Sequence, residues 1–190
     1  ASDDLIKSKL PFFATAAALI GDVQVRNHGT IGGSLAHADP AADWGALVLA
    51  ADAAIITKGS SGSRRVAAVD FFQGLFTTAL EDGEIITEVR IPVPAEGTKT
   101  SYQKFSQPAS RFAIVGCAIM KKADGKINIA FTGVGEVPFR DSAAESAASI
   151  EAAVTAAAEG ITVMSDHFAS EEYRKHLAKV YLRKALEAVA

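Results

Sequence analysis

Gly29-Thr30-Ile31-Gly32-Gly33-Ser34, running on through His37 and Asp39-Pro40 to Asp43, is the stretch around which the chain is organised. Three glycines and two hydroxyls within six residues give a backbone free to turn sharply and to approach a ligand closely. Amide N–H groups exposed in such a turn form a nest for an anion, and Thr30 and Ser34 add hydroxyl donors. Downstream, Pro40 fixes φ, and Asp43 has the side chain of an N-cap for the apolar run that follows it. A glycine-rich turn leading into a helix is an arrangement that holds a phosphate. Spacing alone also leaves a plain tight turn open. No Gly-Lys-Ser/Thr follows, and the glycines lack the dinucleotide-fingerprint spacing.

The 190 residues suffice for one large domain or two small ones. A hydrophobic content of 49% with 22% charged residues describes a soluble globular chain. A net charge of −3 argues against a general nucleic-acid binder. The single cysteine, Cys117, excludes an internal disulfide and an iron–sulfur site built from this chain alone, which fits a reducing, cytoplasmic setting. No apolar run reaches membrane-spanning length. No catalytic dyad, triad or metal cluster is evident in the residue pattern.

Outward from the glycines, residues 4–19 read as helical with a break at Pro11, and residues 23–26 as a short strand entering the turn. Arg26 and Asn27 are placed to brace that turn or to be solvated. Residues 53–57 and 64–69 read as a hairpin, with Arg64 and Arg65 a solvated edge. Residues 84–91 alternate as a half-buried strand, and 92–97 shift composition, which places a boundary between segments 1–97 and 98–190. Beyond it come strands at 98–105, 113–120 and 126–132, the last two joined by an Asp124-Gly125 turn. Residues 141–158 read as one alanine-rich helix. A final helix is capped at Ser170, with Leu177 inward and Arg174, Lys175, Lys179, Arg183 and Lys184 on a solvated face. Two hydrophobic sets emerge, one around Ile55, Phe71, Phe72 and Ile85, the other around Ile114, Ile119, Ile129 and Leu177.

Arg26-Asn27-His28-Gly29-Thr30-Ile31-Gly32-Gly33-Ser34 with Asp39-Pro40-Ala41-Ala42-Asp43 closely resembles the second FAD-binding motif of the molybdenum hydroxylases. It is similar to the medium, flavin-binding subunit of carbon monoxide dehydrogenase-like enzymes and to the flavin domain of xanthine dehydrogenase. Asp70-Phe71-Phe72-Gln73-Gly74, Tyr102-Gln103-Lys104 and Thr132-Gly133-Val134-Gly135 look like further landmarks, so the resemblance covers essentially the whole chain. The family's first FAD subdomain, with an Ala-Gly-Gly-x-Ser-Leu loop, has no counterpart here. The fold implied is α+β. A second FAD-binding subdomain (a mixed sheet with helices) at 1–97 is followed at 98–190 by a small C-terminal domain, an antiparallel sheet packed on helices.

The resemblance implies that Thr30, Gly32, Gly33 and Ser34 contact the FAD diphosphate and the neighbouring ribityl chain, with Gly29 and Ile31 in the same cofactor-binding stretch, although Ser34 stands where many relatives have asparagine. It places Asp43 on the cofactor's sugar or adenine side with His37 beside it. Thr87 approaches the flavin from a strand end, and Tyr102 and Lys104 lie near the isoalloxazine ring. The flavin then carries the redox chemistry, and the chain is an electron relay. Its partners are an iron–sulfur small subunit with 2Fe–2S clusters, a molybdopterin-bearing large subunit and the N-terminal FAD subdomain. Read without the resemblance, the residues leave two alternatives: a non-redox subunit-docking piece, or an unrelated nucleotide-binding α/β protein.

Overall fold

The computed structural model describes all 190 residues. Its N-terminal quarter is helical. Asp3 caps α1 (Asp4–Lys9) by accepting the Ile6 amide, and Pro11 starts α2 (Pro11–Leu19), which buries Phe12, Phe13 and Ala16. The expected strand at 23–26 is instead α3 (Val23–His28). Asp22 accepts the Val25 amide at 2.9 Å, while Val23 and Val25 stay largely exposed. A valine's preference for strand depends on a sheet neighbour to pack against, and here a good N-cap prevails.

The glycine-rich stretch is not a loop either. Thr30 caps α4 (Ile31–His37), which ends at Ala38 in the left-handed region, with φ +53°. Residues 39–42 lead into α5 (Asp43–Ala50), buried at every position except Trp44.

Next comes an antiparallel three-stranded sheet of order β2-β1-β5, made by β1 (Ala54–Gly59), β2 (Gly62–Ala67) and β5 (Ile85–Arg90). Both pairings are antiparallel where a mixed sheet is expected. Between β2 and β5 lie α6 (Ala68–Phe71) and a small hairpin of β3 (Phe72–Gly74) and β4 (Thr77–Thr78). Arg64 lies on the edge strand β2 and is partly exposed, but it is paired and not simply solvated. Its guanidinium grips Glu84 through two bonds of 2.6 and 2.8 Å and also donates to the Ala79 carbonyl. These contacts, the Arg64 hydrogen bond foremost, hold the Glu84 carboxyl down at about 2. A bulge at Ile56/Thr57 leaves Ile85 exposed and turns Ile86 and Val89 toward the first core, so Ile85 does not belong to it as expected.

The C-terminal half is an antiparallel sheet in sequential order, β6 (Lys99–Ser106), β7 (Ala113–Lys121), β8 (Ile127–Thr132) and β9 (Phe139–Arg140). Asp124-Gly125 makes the β7–β8 turn, with Gly125 at φ +86°. β7 is buried on both faces because helices cover both. Val115, Cys117 and Ile119 join Leu177, Leu182 and Leu186 of α9 (Glu171–Glu187), whereas Ala118 and Met120 join Leu47, Leu49 and Phe12 from the first segment. Each fully buried large apolar side chain in these layers contributes about 1.5–3 kcal/mol. The segments 1–97 and 98–190 therefore share a sheet as a common wall.

Two expectations for the C-terminal half change. The helix expected at 141–158 is broken into α7 (Ser142–Glu145) and α8 (Ile150–Ala156). Ser149 caps α8, and the buried Asp141 carboxylate binds the Ala144 amide with one oxygen and the Ala158 amide with the other. Alanine propensity is weak beside two side-chain N-caps and a third side-chain bond to a backbone amide within one curl. Arg174 leaves the solvated face of α9. It is 3% exposed, and its guanidinium donates to the carbonyls of Ile114 and Gly133 and pairs with Asp166.

No helix is long and apolar enough to cross a membrane.

Candidate functional site

The residues singled out by sequence divide into an open group on α4 and a closed group beneath α5. On α4, Thr30 Oγ1 accepts the Gly33 amide at 2.9 Å, and Ser34 N–H takes up the Thr30 carbonyl. The amides of Ile31 and Gly32 find no acceptor in the chain, as first-turn amides of a helix do not unless something outside the helix binds them. Thr30 accepts one bond and keeps its own proton to donate, and the half-buried Ser34 hydroxyl is likewise unengaged. Neither Gly32 nor Gly33 has a positive φ, so the sharp turn expected of them is absent. What they provide is space. A Cβ on Gly33 would sit 2.9 Å from Thr30 Oγ1, and one on Gly32 would face Ile86 at 3.8 Å.

Gly29 is the extended C-cap of α3 and spends its amide on the Val25 carbonyl, so it adds no free donor. Arg26 braces the preceding turn by donating to Ile20 and Gly21 carbonyls, not the glycine-rich one. Thr87 is exposed on β5, next to Ile86 on the strand against which α4 packs, and its hydroxyl reaches the Ile56 carbonyl at 3.3 Å. His37 lies at the opposite end of α4, about 10 Å along the axis from Thr30 at 1.5 Å per residue. It is exposed and its ring meets that of Phe76 at 5.2 Å.

The closed group is Asp43, Tyr102 and Lys104. Asp43 is not the cap of α5; Ala42 holds that position and makes no side-chain bond. One Asp43 oxygen accepts the Tyr102 hydroxyl, the other the Lys104 ammonium at 2.8 Å. The Lys104 side chain is 1% exposed and also lies 3.4 Å from the Leu19 carbonyl. Burial raises the Asp43 carboxyl, against the pull of Lys104, and drives the Tyr102 hydroxyl well above its ordinary value. Tyr102 is 4% exposed and packed in the first core, so its ring has no open face to offer an isoalloxazine ring in this arrangement. Gly116 makes the triad possible. A Cβ there would come within 2.6 Å of the Tyr102 hydroxyl. Asp43, Tyr102 and Lys104 thus form a buried bolt joining α5 to β6.

One part of the site went unread in the sequence. Residues 39–42, which link the open α4 to the bolted α5, are held by the C-terminal sheet through Ala113, Thr132 and Gly133. The available signal was Gly133, whose φ of +76° is a glycine conformation and whose Cβ would meet the Ile114 carbonyl at 2.5 Å.

Known proteins are similar to this chain along nearly its whole length. Residues 1–94 match the family described as the FAD binding domain in molybdopterin dehydrogenase, and residues 100–189 match the CO dehydrogenase flavoprotein C-terminal domain. The chain is 38% identical to the glyceraldehyde dehydrogenase medium chain of Sulfolobus acidocaldarius, over all of this chain and 71% of that one. It is 35% identical to the carbon monoxide dehydrogenase medium chain of Hydrogenophaga pseudoflava, over 98% of this chain and 69% of that one. The structure is similar to that of the carbon monoxide dehydrogenase from H. pseudoflava which lacks the Mo-pyranopterin moiety of the molybdenum cofactor. That similarity has a TM-score of 0.93 at 36% identity, covering 99% of this chain and 70% of that one. Quinoline 2-oxidoreductase from Pseudomonas putida 86 matches with a TM-score of 0.86 at 30% identity, over 99% and 70% of the two chains.

Proposed function

Since the chain belongs to the FAD-binding flavoprotein family of the molybdopterin dehydrogenases, we propose that it holds the diphosphate of FAD on the open first turn of α4 and serves as the electron-transfer component of a multi-subunit molybdenum hydroxylase. The observation that carries this reading is the pair of unclaimed amides at Ile31 and Gly32, flanked by the Thr30 and Ser34 hydroxyls and bare of side chains at Gly32 and Gly33. That donor set suits an anionic diphosphate, which offers several oxygens and no protons to satisfy.

When bound, FAD supplies the redox chemistry that joins iron–sulfur centres to an acceptor such as NAD or a quinone. The protein's part is binding and orientation. Thr30, Ile31, Gly32, Gly33 and Ser34 receive the diphosphate, and Thr87 and His37 flank it along β5 and at the far end of α4. Asp43 and Lys104 fix α5 beneath the site, with Tyr102 locking the Asp43 carboxylate. The iron–sulfur small subunit and the molybdopterin large subunit are the partners this role requires. Family membership removes the reading of an unrelated nucleotide-binding protein.

The enzyme purified with this chain is expected to contain FAD near one equivalent per copy and to show bleaching of the flavin absorbance when its substrate is added. An assembled, active enzyme free of flavin would rule the reading out.

A further inference from the structure

We propose that Thr132, at the end of β8, is a positioning residue for the cofactor site: its hydroxyl clamps the link between α4 and α5 and so sets the placement of the Ile31 and Gly32 amides relative to Asp43. The proposal rests on the reading of α4 as the FAD-binding element.

Thr132 is fully buried and touches no surface open to a ligand. Its Oγ1 lies 2.6 Å from the Pro40 carbonyl and 2.7 Å from that of Ala42, so its one proton is shared between two loop carbonyls. The grip is reinforced on either side. Gly133 N–H donates to the Pro40 carbonyl at 2.7 Å, and Ala113 N–H to the Ala41 carbonyl at 3.0 Å. Behind these amides, Arg174 holds the carbonyls of Gly133 at 2.5 Å and Ile114 at 2.6 Å, and Asp166 holds Arg174 at 2.6 Å. Within the link, Pro40 restricts one φ and Asp39 accepts the Ala41 and Ala42 amides, against four hydrogen bonds from the C-terminal sheet. The loop's conformation is therefore imposed by the C-terminal sheet. A helix that must present two amides to one diphosphate depends on such a fixed base, because a site left to find its geometry on binding loses affinity.

The test compares Thr132→Val, which keeps the shape and removes the hydroxyl, with Thr132→Ser, which keeps the hydroxyl and removes the methyl. Both are made in the holoenzyme, and FAD affinity is measured by flavin fluorescence after deflavination, well below each variant's Tm. Valine is expected to weaken FAD binding about tenfold, the scale of one buried hydrogen bond, and serine to stay within about twofold of the parent. A valine variant with lowered Tm but parental affinity would overturn the proposal, because Thr132 would then only stabilise the fold. So would a serine variant as weak as valine, since methyl packing would be responsible. Should the valine variant not fold, Thr132→Ala against Thr132→Ser decides it: weaker binding in alanine alone supports the clamp, and equal affinities refute it. A parent enzyme that binds no FAD would instead refute the assignment of α4 itself.

Discussion

Gly33→Val is expected to strip FAD from the enzyme while leaving the chain folded. The added Cβ would come within 2.9 Å of Thr30 Oγ1, and the β-branched side chain would then cover the first turn of α4. Displacing the Thr30 hydroxyl costs about 1 kcal/mol of capping. Replacing a helical glycine by alanine would return roughly 0.5–1 kcal/mol, and the β-branched valine returns less, so the net loss of stability stays below about 1 kcal/mol. Binding has no such offset. Each lost hydrogen bond to a charged phosphate is worth about 1.5–3 kcal/mol, so losing one lowers affinity by about ten- to a hundredfold and losing two by about a hundred- to ten-thousandfold. Flavin absorbance per mole of purified variant measures the loss, and thermal melting measures the stability. Full flavin content in Gly33→Val would show that the diphosphate lies elsewhere.

Asp43→Ala is expected to damage the fold itself. A lost N-cap would cost about 1 kcal/mol, but Asp43 is no cap. It neutralises a lysine whose side chain is 1% exposed, and it satisfies the Tyr102 hydroxyl. Removing one partner of a buried pair leaves the other charge without compensation, at about 3–5 kcal/mol. Asp43→Asn, which keeps an acceptor for Tyr102, should lose less. Urea unfolding of the two variants provides the comparison. A loss below about 1.5 kcal/mol for Asp43→Ala would mean that Lys104 escapes to solvent when its partner is gone, and the bolt would be a surface ion pair in effect.

Local chemistry made some elements readable and left others hidden. Residues 113–120 read as a buried strand because an unbroken apolar run of that length needs cover on both faces, and α5 and α9 supply it. Asp124-Gly125 and Ser170 announced a turn and a cap because their roles act within a few residues. Val23–His28 misled, since valine spacing speaks of strand only where a partner strand exists. Arg174 sits among Glu171, Glu172 and Lys175 and looks solvated. Its partners, the Ile114 and Gly133 carbonyls, come from distant strands that no local pattern names. Asp43, Tyr102 and Lys104 were each singled out as separate residues, and their mutual contact across some sixty residues of sequence was invisible. In the glycine-rich stretch the residues suggested the wrong backbone: a capped helix carries the free amides, where a turn was expected.

The central claim is that the cofactor's diphosphate rests on the first turn of α4, and the structure of the FAD-loaded holoenzyme tests it most directly. Diphosphate oxygens are expected within ordinary hydrogen-bond reach, about 2.7–3.2 Å, of the Ile31 and Gly32 amide nitrogens. The Thr30 or Ser34 hydroxyl should complete the set. A diphosphate bound with the Ile31 and Gly32 amides out of reach, facing solvent, would contradict it.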